Sequence, residues 1–268
     1  MKVMNKIVAD DLGMSPGTNI AIKELVDIGA LTHVSIFSTG DYYDEGMKLI
    51  AQNNINKGLH FNLTYGKSAI GVNELTNNEG KFKFGFLGVL LKSFKPSVKK
   101  IIEKELIAQI KILEGRVNQI SHIDGHRHIH IIPGISNIVK KISKRYNIKE
   151  IRVINENILD SILIGKKLNL EIIAGFIKFF VLNTFSYFSS IKSKYNFFSI
   201  IYTGQINIKM LNRISFRNKK FEIMTHPSKP EFDINIKFYD NNEKIYRLSK
   251  KRLMEYEACL NFQNAKTN

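Results

Sequence analysis

The sequence predicts an α/β enzyme whose working residues sit at one rim of the sheet, on three observations. Short apolar runs alternate with stretches of helical periodicity along most of the chain. Five of those runs carry acids, histidines or an arginine at or near their ends: Val3–Ala9 into Asp10-Asp11, Gly58–Leu63 around His60, Ile120–His126, Ile151–Val153 around Arg152, and Phe221–His226. The residue types delivered, carboxylate and imidazole, are those that bind a divalent metal and move protons. In α/β proteins such chemistry gathers at the carboxyl ends of the strands.

Each element has its own signal. Val3–Val8 is strand-like, and Ser15 then offers an N-cap before Pro16 at the first helical position, with Ile20, Ala21, Leu25 and Ile28 as a helical stripe. Val34–Phe37 reads as the second strand and Tyr43–Gln52 as the second helix. Leu59–Leu63 alternates Leu59, Phe61 and Leu63 against His60 and Asn62, which puts the histidine on the face opposite the apolar residues. Residues 64–95, with glycines at 66, 71, 80, 85 and 88, read as an irregular insertion able to border a substrate cleft. Ser97 is the expected cap of the clearest helix, which carries Val98, Ile101, Ile102, Leu106, Ile110 and Leu113 and stops at Gly115. A strand through Ile123, a helix opening near Pro133-Gly134 and a strand over Glu150–Ile154 follow. The last strand is Phe221–Thr225, with an amphipathic tail helix around Ile245–Leu260. No repeat or low-complexity linker interrupts the chain, so one domain over 1–268 is the simplest division.

Composition narrows the class. The 268 residues, 44% hydrophobic, suffice for a substantial core. Forty basic against 24 acidic residues give a formal charge of +16, which favours anionic partners. The lysine pairs fall in different elements, however, and no helix concentrates Lys and Arg on one face beside aromatic residues, so nucleic acid is not an expected partner. The single Cys259 excludes an intrachain disulfide and fits a reducing compartment as a small packing residue. The first residues lack a signal-peptide pattern, and a cytoplasmic location is expected. Residues 162–190 are unusually apolar but are broken by Lys166, Lys167, Glu171 and Lys178. That pattern argues against a spanning helix and leaves core packing, a lid, or a peripheral membrane contact.

The chemistry concentrates in four motifs. The adjacent carboxylates of Asp10-Asp11 repel each other, so either a cation lies between them or they diverge to different tasks; a solvated turn is the plain alternative. His60 sits in mid-strand. His122-Ile123-Asp124-Gly125-His126-Arg127-His128-Ile129-His130 holds four of the seven histidines, and in extended form these and Asp124 would share one face. Gly125 would let the chain turn and aim His126 inward. Four imidazoles cannot all ligate one ion, so some must bind substrate or orient the ligands. Thr225-His226-Pro227 ends the last strand with a candidate general acid or base. Arg152 could bind an anion or a carbonyl oxygen, or pair with a carboxylate.

Ala9-Asp10-Asp11-Leu12-Gly13, Gly58-Leu59-His60-Phe61-Asn62-Leu63-Thr64, the stretch from Ser121 to His130, and Met224-Thr225-His226-Pro227 occur in the order of the motifs of the YdjC-like carbohydrate deacetylases. The chain resembles that family from its first strand to about residue 230. The resemblance implies a distorted (β/α) barrel related to polysaccharide deacetylases, one divalent metal, and release of acetate from N-acetylated sugars. Carried over by position, Asp11, His60 and His126 are the implied metal ligands, Asp10 the base and His226 the acid. Arg152, His128 and Asp124 remain as candidate substrate contacts. Leu12 stands where the family has Phe, Ser228 where it has Gly, and Arg152–Glu156 follows its Arg-x-Pro-x-Glu run loosely.

Two imidazoles and a carboxylate suit zinc, with magnesium, iron, manganese and cobalt also compatible. An oligosaccharide and a lipid-linked or phosphorylated glycan both fit as substrates, and a homodimer stays open. A metal-dependent phosphoesterase is the main rival, although strand-end acids are sparse for a two-ion site. A non-enzymatic nucleic-acid-binding protein is the other.

Overall fold

Among residues 5–166 and 170–267, which the computed structural model describes, seven parallel strands form one sheet. The elements in chain order are β1 (Lys6–Leu12), α1 (Pro16–Asp27), β2 (His33–Ile36), α2 (Tyr43–Leu49), β3 (Asn56–Phe61), α3 (Phe86–Lys92), α4 (Pro96–Glu114), β4 (His122–Gly125), α5 (Ile135–Arg145) and β5 (Glu150–Ile151). They continue with α6 (Ile158–Gly165), α7 (Leu170–Ser189), β6 (Asn196–Phe198), α8 (Ile208–Ser215), β7 (Phe221–Thr225), α9 (Asn241–Arg247) and α10 (Lys250–Thr267). Short 3-10 segments cover His126–Ile131 and Pro230–Phe232.

The sheet order β5-β4-β3-β2-β1-β7-β6 is the circular order of a (β/α) barrel, left open between β5 and β6. The sheet is strongly curled. Lys6 on β1 reaches Glu150 on β5 at 3.2 Å and Glu222 on β7 at 3.4 Å. In a flat sheet the four strand steps from β1 to β5 would separate such residues by roughly 19 Å. The architecture is therefore an open, curled parallel sheet consistent with the distorted (β/α) barrel that the resemblance implies.

Alternation sorts the strand residues into two environments. Ile7, Ala9, Val34, Ile36, Leu59, Phe61 and Ile123 join the apolar core beneath the helices. Lys6, Ser35, His60, His122, Asp124 and Glu222 contact one another or Arg152 across the concave face. Gly58 makes this possible on β3: a Cβ there would lie 2.2 Å from the His122 ring, which crosses over the glycine to reach Ser35 at 3.0 Å.

The seam between β5 and β6 is closed by a side chain. Asn155 accepts from Phe197 N at 2.9 Å and donates from Nδ2 to the Tyr195 carbonyl at 3.0 Å, which gives the edge of β6 an amide partner. α7 covers this side, with Ser186 accepting from Ile154 N and Asn183 donating to Glu156 O.

Several expected boundaries move. β1 runs on through the acid pair to Leu12, while Met1–Met4 lie outside the described residues. α4 starts at Pro96 with Lys95 as its cap, displacing Ser97, because proline's fixed φ and missing N–H suit the first helical position. The expected strand over Glu150–Ile154 pairs only at Glu150–Ile151, and the tail helix splits into α9 and α10. Residues 64–95 are largely irregular as expected but contain α3. β6 and α8 had no sequence assignment.

Candidate active site

The site lies at the carboxyl ends of β1, β3, β4 and β7. After Ala9 the pairing of β1 with β2 shifts register, and Asp11 takes a left-handed conformation with φ +76°. Two carboxylates that regular alternation would send to opposite faces therefore both border one cavity of about 210 Å³. Its wall also includes His60, His126, His128, Lys178, His226, Glu243 and Tyr246.

Asp11 Oδ1 is 3.4 Å from His60 Nε2 and is otherwise buried with no hydrogen-bond partner among the described residues. Its Oδ2 accepts from Arg252 Nη2 at 3.1 Å. Burial opposes ionisation of Asp11, but the adjacent His60 imidazole and the Arg252 charge outweigh it and hold the carboxyl well below the usual carboxylate range. On the far side of His60, Nδ1 sits 2.7 Å from Asp124 Oδ1. Burial disfavours a charged imidazole, yet Asp124, Asp10 and Asp11 together lift His60 to about 10.

His126 follows the turn at Gly125, in a segment where Arg127 and His128 are both left-handed with φ +55° and +60°. The extended histidine ladder is thus corrected: His122 and Asp124 stay on the strand, His126 and His128 turn to the cavity, and His130 packs back with Nε2 3.1 Å from Arg152 O. The His126 ring lies 5.9 Å from that of His60, and its Nδ1 is 2.8 Å from Thr64 Oγ1. Burial pushes His126 down to about 3, so it is neutral and able to offer a lone pair. The structure thus brings Asp11, His60 and His126 to one cavity.

Asp10, His60 and Asp124 also place donor atoms within 4.8 Å of one another. Their atoms are already committed, however. Both Asp10 oxygens accept from Arg152, at 2.6 and 2.8 Å. Asp124 Oδ2 accepts from Ser35 at 2.6 Å and lies 2.7 Å from Arg152 Nη2, while Oδ1 faces His60. We assign this trio to an ion-pair network. Donors able to hold a metal ion are nevertheless present, with Asp11 and His126 beside His60 on the same cavity.

Arg152 and Asp124, expected as substrate contacts, lie behind the cavity wall. Both are fully buried in the concave interior, and neither lines the cavity. Arg152 spends its guanidinium on Asp10, Asp124 and Glu222, the last at 2.8 Å, so it pairs structural carboxylates. Asp124 orients His60. His128 does border the cavity, with Nδ1 buried and unpartnered.

His226 lines the opposite wall. Its backbone N–H donates to Glu255 Oε2 at 2.6 Å, its Nδ1 lies 3.7 Å from the same carboxylate, and its carbonyl accepts from Arg252 Nε at 3.0 Å. Ser228 fits without a left-handed backbone: its hydroxyl lies 3.4 Å from Thr18 Oγ1 and 3.5 Å from Asp233 Oδ2.

Sequence reasoning missed the contribution of the chain's last third. Arg252 and Glu255 sit with Cys259 and Phe262 on the buried stripe of α10, where two charged residues at helical spacing on an apolar face were the available signal. Lys178 of α7, read only as an interruption of an apolar segment, lines the cavity beside Thr203, whose Oγ1 is 3.5 Å away. Burial lowers its ammonium to about 8 against the opposing pull of Glu156.

A carbohydrate deacetylase from Mus musculus is 29% identical over 155 residues, covering 55% of this chain and 49% of that protein. One from Brevibacillus brevis is 30% identical over 142 residues, covering 52% and 55%. The chain thus spans about half the length of the curated relatives it matches. A solved Enterococcus faecalis V583 structure, titled as a putative cellobiose-phosphate cleavage protein, superposes with a TM-score of 0.61 over 97% of this chain and 95% of that one; at 17% identity it speaks for the fold alone. The family model described as YdjC-like protein matches residues 6–266, and the chain belongs to that family.

Proposed function

We propose that this chain is a metal-dependent hydrolase that removes the acetyl group from an N-acetylated sugar, releasing acetate and a free amine. One observation carries the reading: a buried, unpartnered Asp11 oxygen faces His60 Nε2, while Asp124 anchors the other ring nitrogen. A carboxylate behind a ligand histidine is the usual way to fix its tautomer and strengthen it as a donor. His126 supplies the third position.

A divalent ion, when bound to Asp11, His60 and His126, supplies the positive charge that acidifies water and stabilises a developing oxyanion. Asp10, oriented by two bonds from Arg152, borders the cavity and takes the proton of the attacking water. His226, on the opposite wall beside Glu255, gives a proton to the amine nitrogen as the C–N bond breaks. Without that proton the amine would be a poor leaving group and the amide would re-form.

The test is acetate release from N-acetylated chito-oligosaccharides by metal-stripped and zinc-reconstituted protein, with bound metal counted in parallel. The reading expects about one ion per chain, lost in Asp11→Asn, and activity that follows it. Full activity after complete metal removal refutes it. Two tightly bound ions would favour a phosphoesterase, which the commitment of Asp10 and Asp124 to Arg152 already argues against.

A further inference from the structure

We propose that the outer face of α7, extended by α3, docks onto an anionic lipid bilayer. A helix on the surface of a globular protein ordinarily turns polar residues to water. α7 does the reverse on its outward arc. Ile173, Ile177, Phe180, Val181, Tyr187 and Phe188 are all exposed, Tyr187 to 81% and Phe188 to 70%. The two remaining exposed positions between Ile172 and Ser189 are Ala174 and Thr184, so no charge interrupts the arc. Only a third of this stretch is buried. The patch does not end with α7. Phe185 stacks on Phe86 at 6.4 Å with 17° between the rings, joining α3, whose Leu87 and Leu91 are exposed on one side of the helix.

Charge selects the occupant. Lys166 lies exposed before α7, Lys192 and Lys194 lie exposed beyond it, and Lys95 lies exposed beyond α3. Apolar and aromatic side chains flanked by lysines suit the boundary between acyl chains and anionic headgroups. A second copy of a chain with formal charge +16 would bring the same lysines against each other.

By length and composition alone α7 could cross a bilayer, but its contacts with the fold favour lying along the surface. Its inner face is anchored by Ser186 and Asn183, and Lys178 projects from that face into the catalytic cavity. Bilayer contact and cavity wall are thus two sides of one helix. Taken with the deacetylase reading, on which this last step rests, that arrangement selects acetamido sugars carried on lipid.

The experiment is co-sedimentation of the full chain with vesicles, measured without any sugar so that it stands apart from the hydrolase assay. Equimolar phosphatidylglycerol and phosphatidylcholine vesicles are compared with pure phosphatidylcholine at low salt. The expected result is at least about tenfold tighter binding to the anionic vesicles, weakened by salt. Ile177→Gln/Phe180→Gln should lose that binding while keeping the wild-type circular dichroism spectrum, and Leu87→Gln/Leu91→Gln should weaken it. Wild-type protein that stays in the supernatant overturns the proposal, as does a double variant that pellets like wild type. A wild-type dimer that Ile177→Gln/Phe180→Gln dissociates would overturn it too, assigning the face to a second copy. Vesicle binding by a chain inactive on every acetamido sugar would sink the hydrolase reading and leave docking intact.

Discussion

Asp124→Asn isolates the link between the buried ion network and the metal site. The carboxylate of Asp124 is fully buried and serves Ser35 at 2.6 Å, His60 Nδ1 at 2.7 Å and Arg152 Nη2 at 2.7 Å. Asparagine keeps the shape, removes the charge and converts one acceptor into a donor. Its amide cannot satisfy Arg152 and His60 at once. Removing one member of a buried charge pair costs about 3–5 kcal/mol in folding stability. Where the variant folds, His60 loses the acceptor that fixes its Nδ1 proton, and metal affinity should fall by about 10- to 100-fold. Calorimetric titration of zinc into metal-free protein measures the second effect and urea denaturation the first. Ser35→Ala, which leaves the His60 contact intact, should keep near wild-type affinity. Asp124→Asn protein that binds zinc as tightly as wild type would refute the argument that Asp124 sets the His60 donor.

Gly58→Ala places a Cβ 2.2 Å from the His122 ring, so it should destabilise by about 1–3 kcal/mol or more, read from urea midpoints. Arg252→Met strips the guanidinium from Asp11 and from the His226 carbonyl and should cost about 3–5 kcal/mol, with retained metal falling in parallel by elemental analysis. Glu156 gives a pH dependence. Burial raises its carboxyl from 4.5 to about 7, outweighing hydrogen bonds from Ser161 and from the Ile200 and Ser199 amides. The folded state therefore holds the proton more tightly than the unfolded one. The added stability is complete below pH 4.5 and is lost as pH rises to about 7, a change of about 3 kcal/mol. Glu156→Gln should flatten that slope in denaturation curves taken from pH 4.5 to 8.

The strand-end rule reached the cavity lining, because Asp10, Asp11, His60, His126 and His226 each lie near or just past the end of a strand. It could not assign Arg152 and Asp124. Which charges meet depends on how far the sheet curls, and only strong curling puts the arginine just after β5 against carboxylates from β1, β4 and β7. The left-handed bend at Asp11 was also hidden, since aspartate tolerates that conformation without glycine's signature. Arg252 and Glu255 share an apolar helical stripe with Cys259 and Phe262, a signal of burial that does not say which wall the charges meet. β6 escaped because three residues that lean on Asn155 need no long alternating pattern.

That asparagine has an architectural consequence. Where a complete cylinder would spend a ladder of main-chain bonds to shut itself, this one is fastened by side chains standing in for peptide units, the Asn155 carboxamide and next to it the Glu156 carboxyl, at about 1 kcal/mol for each bond. A clasp so light lets the stretch between it and β6 lengthen or shorten without re-registering any neighbouring stave. It is the place where this scaffold can acquire new coverings for its mouth while the ion-paired hub behind stays unchanged.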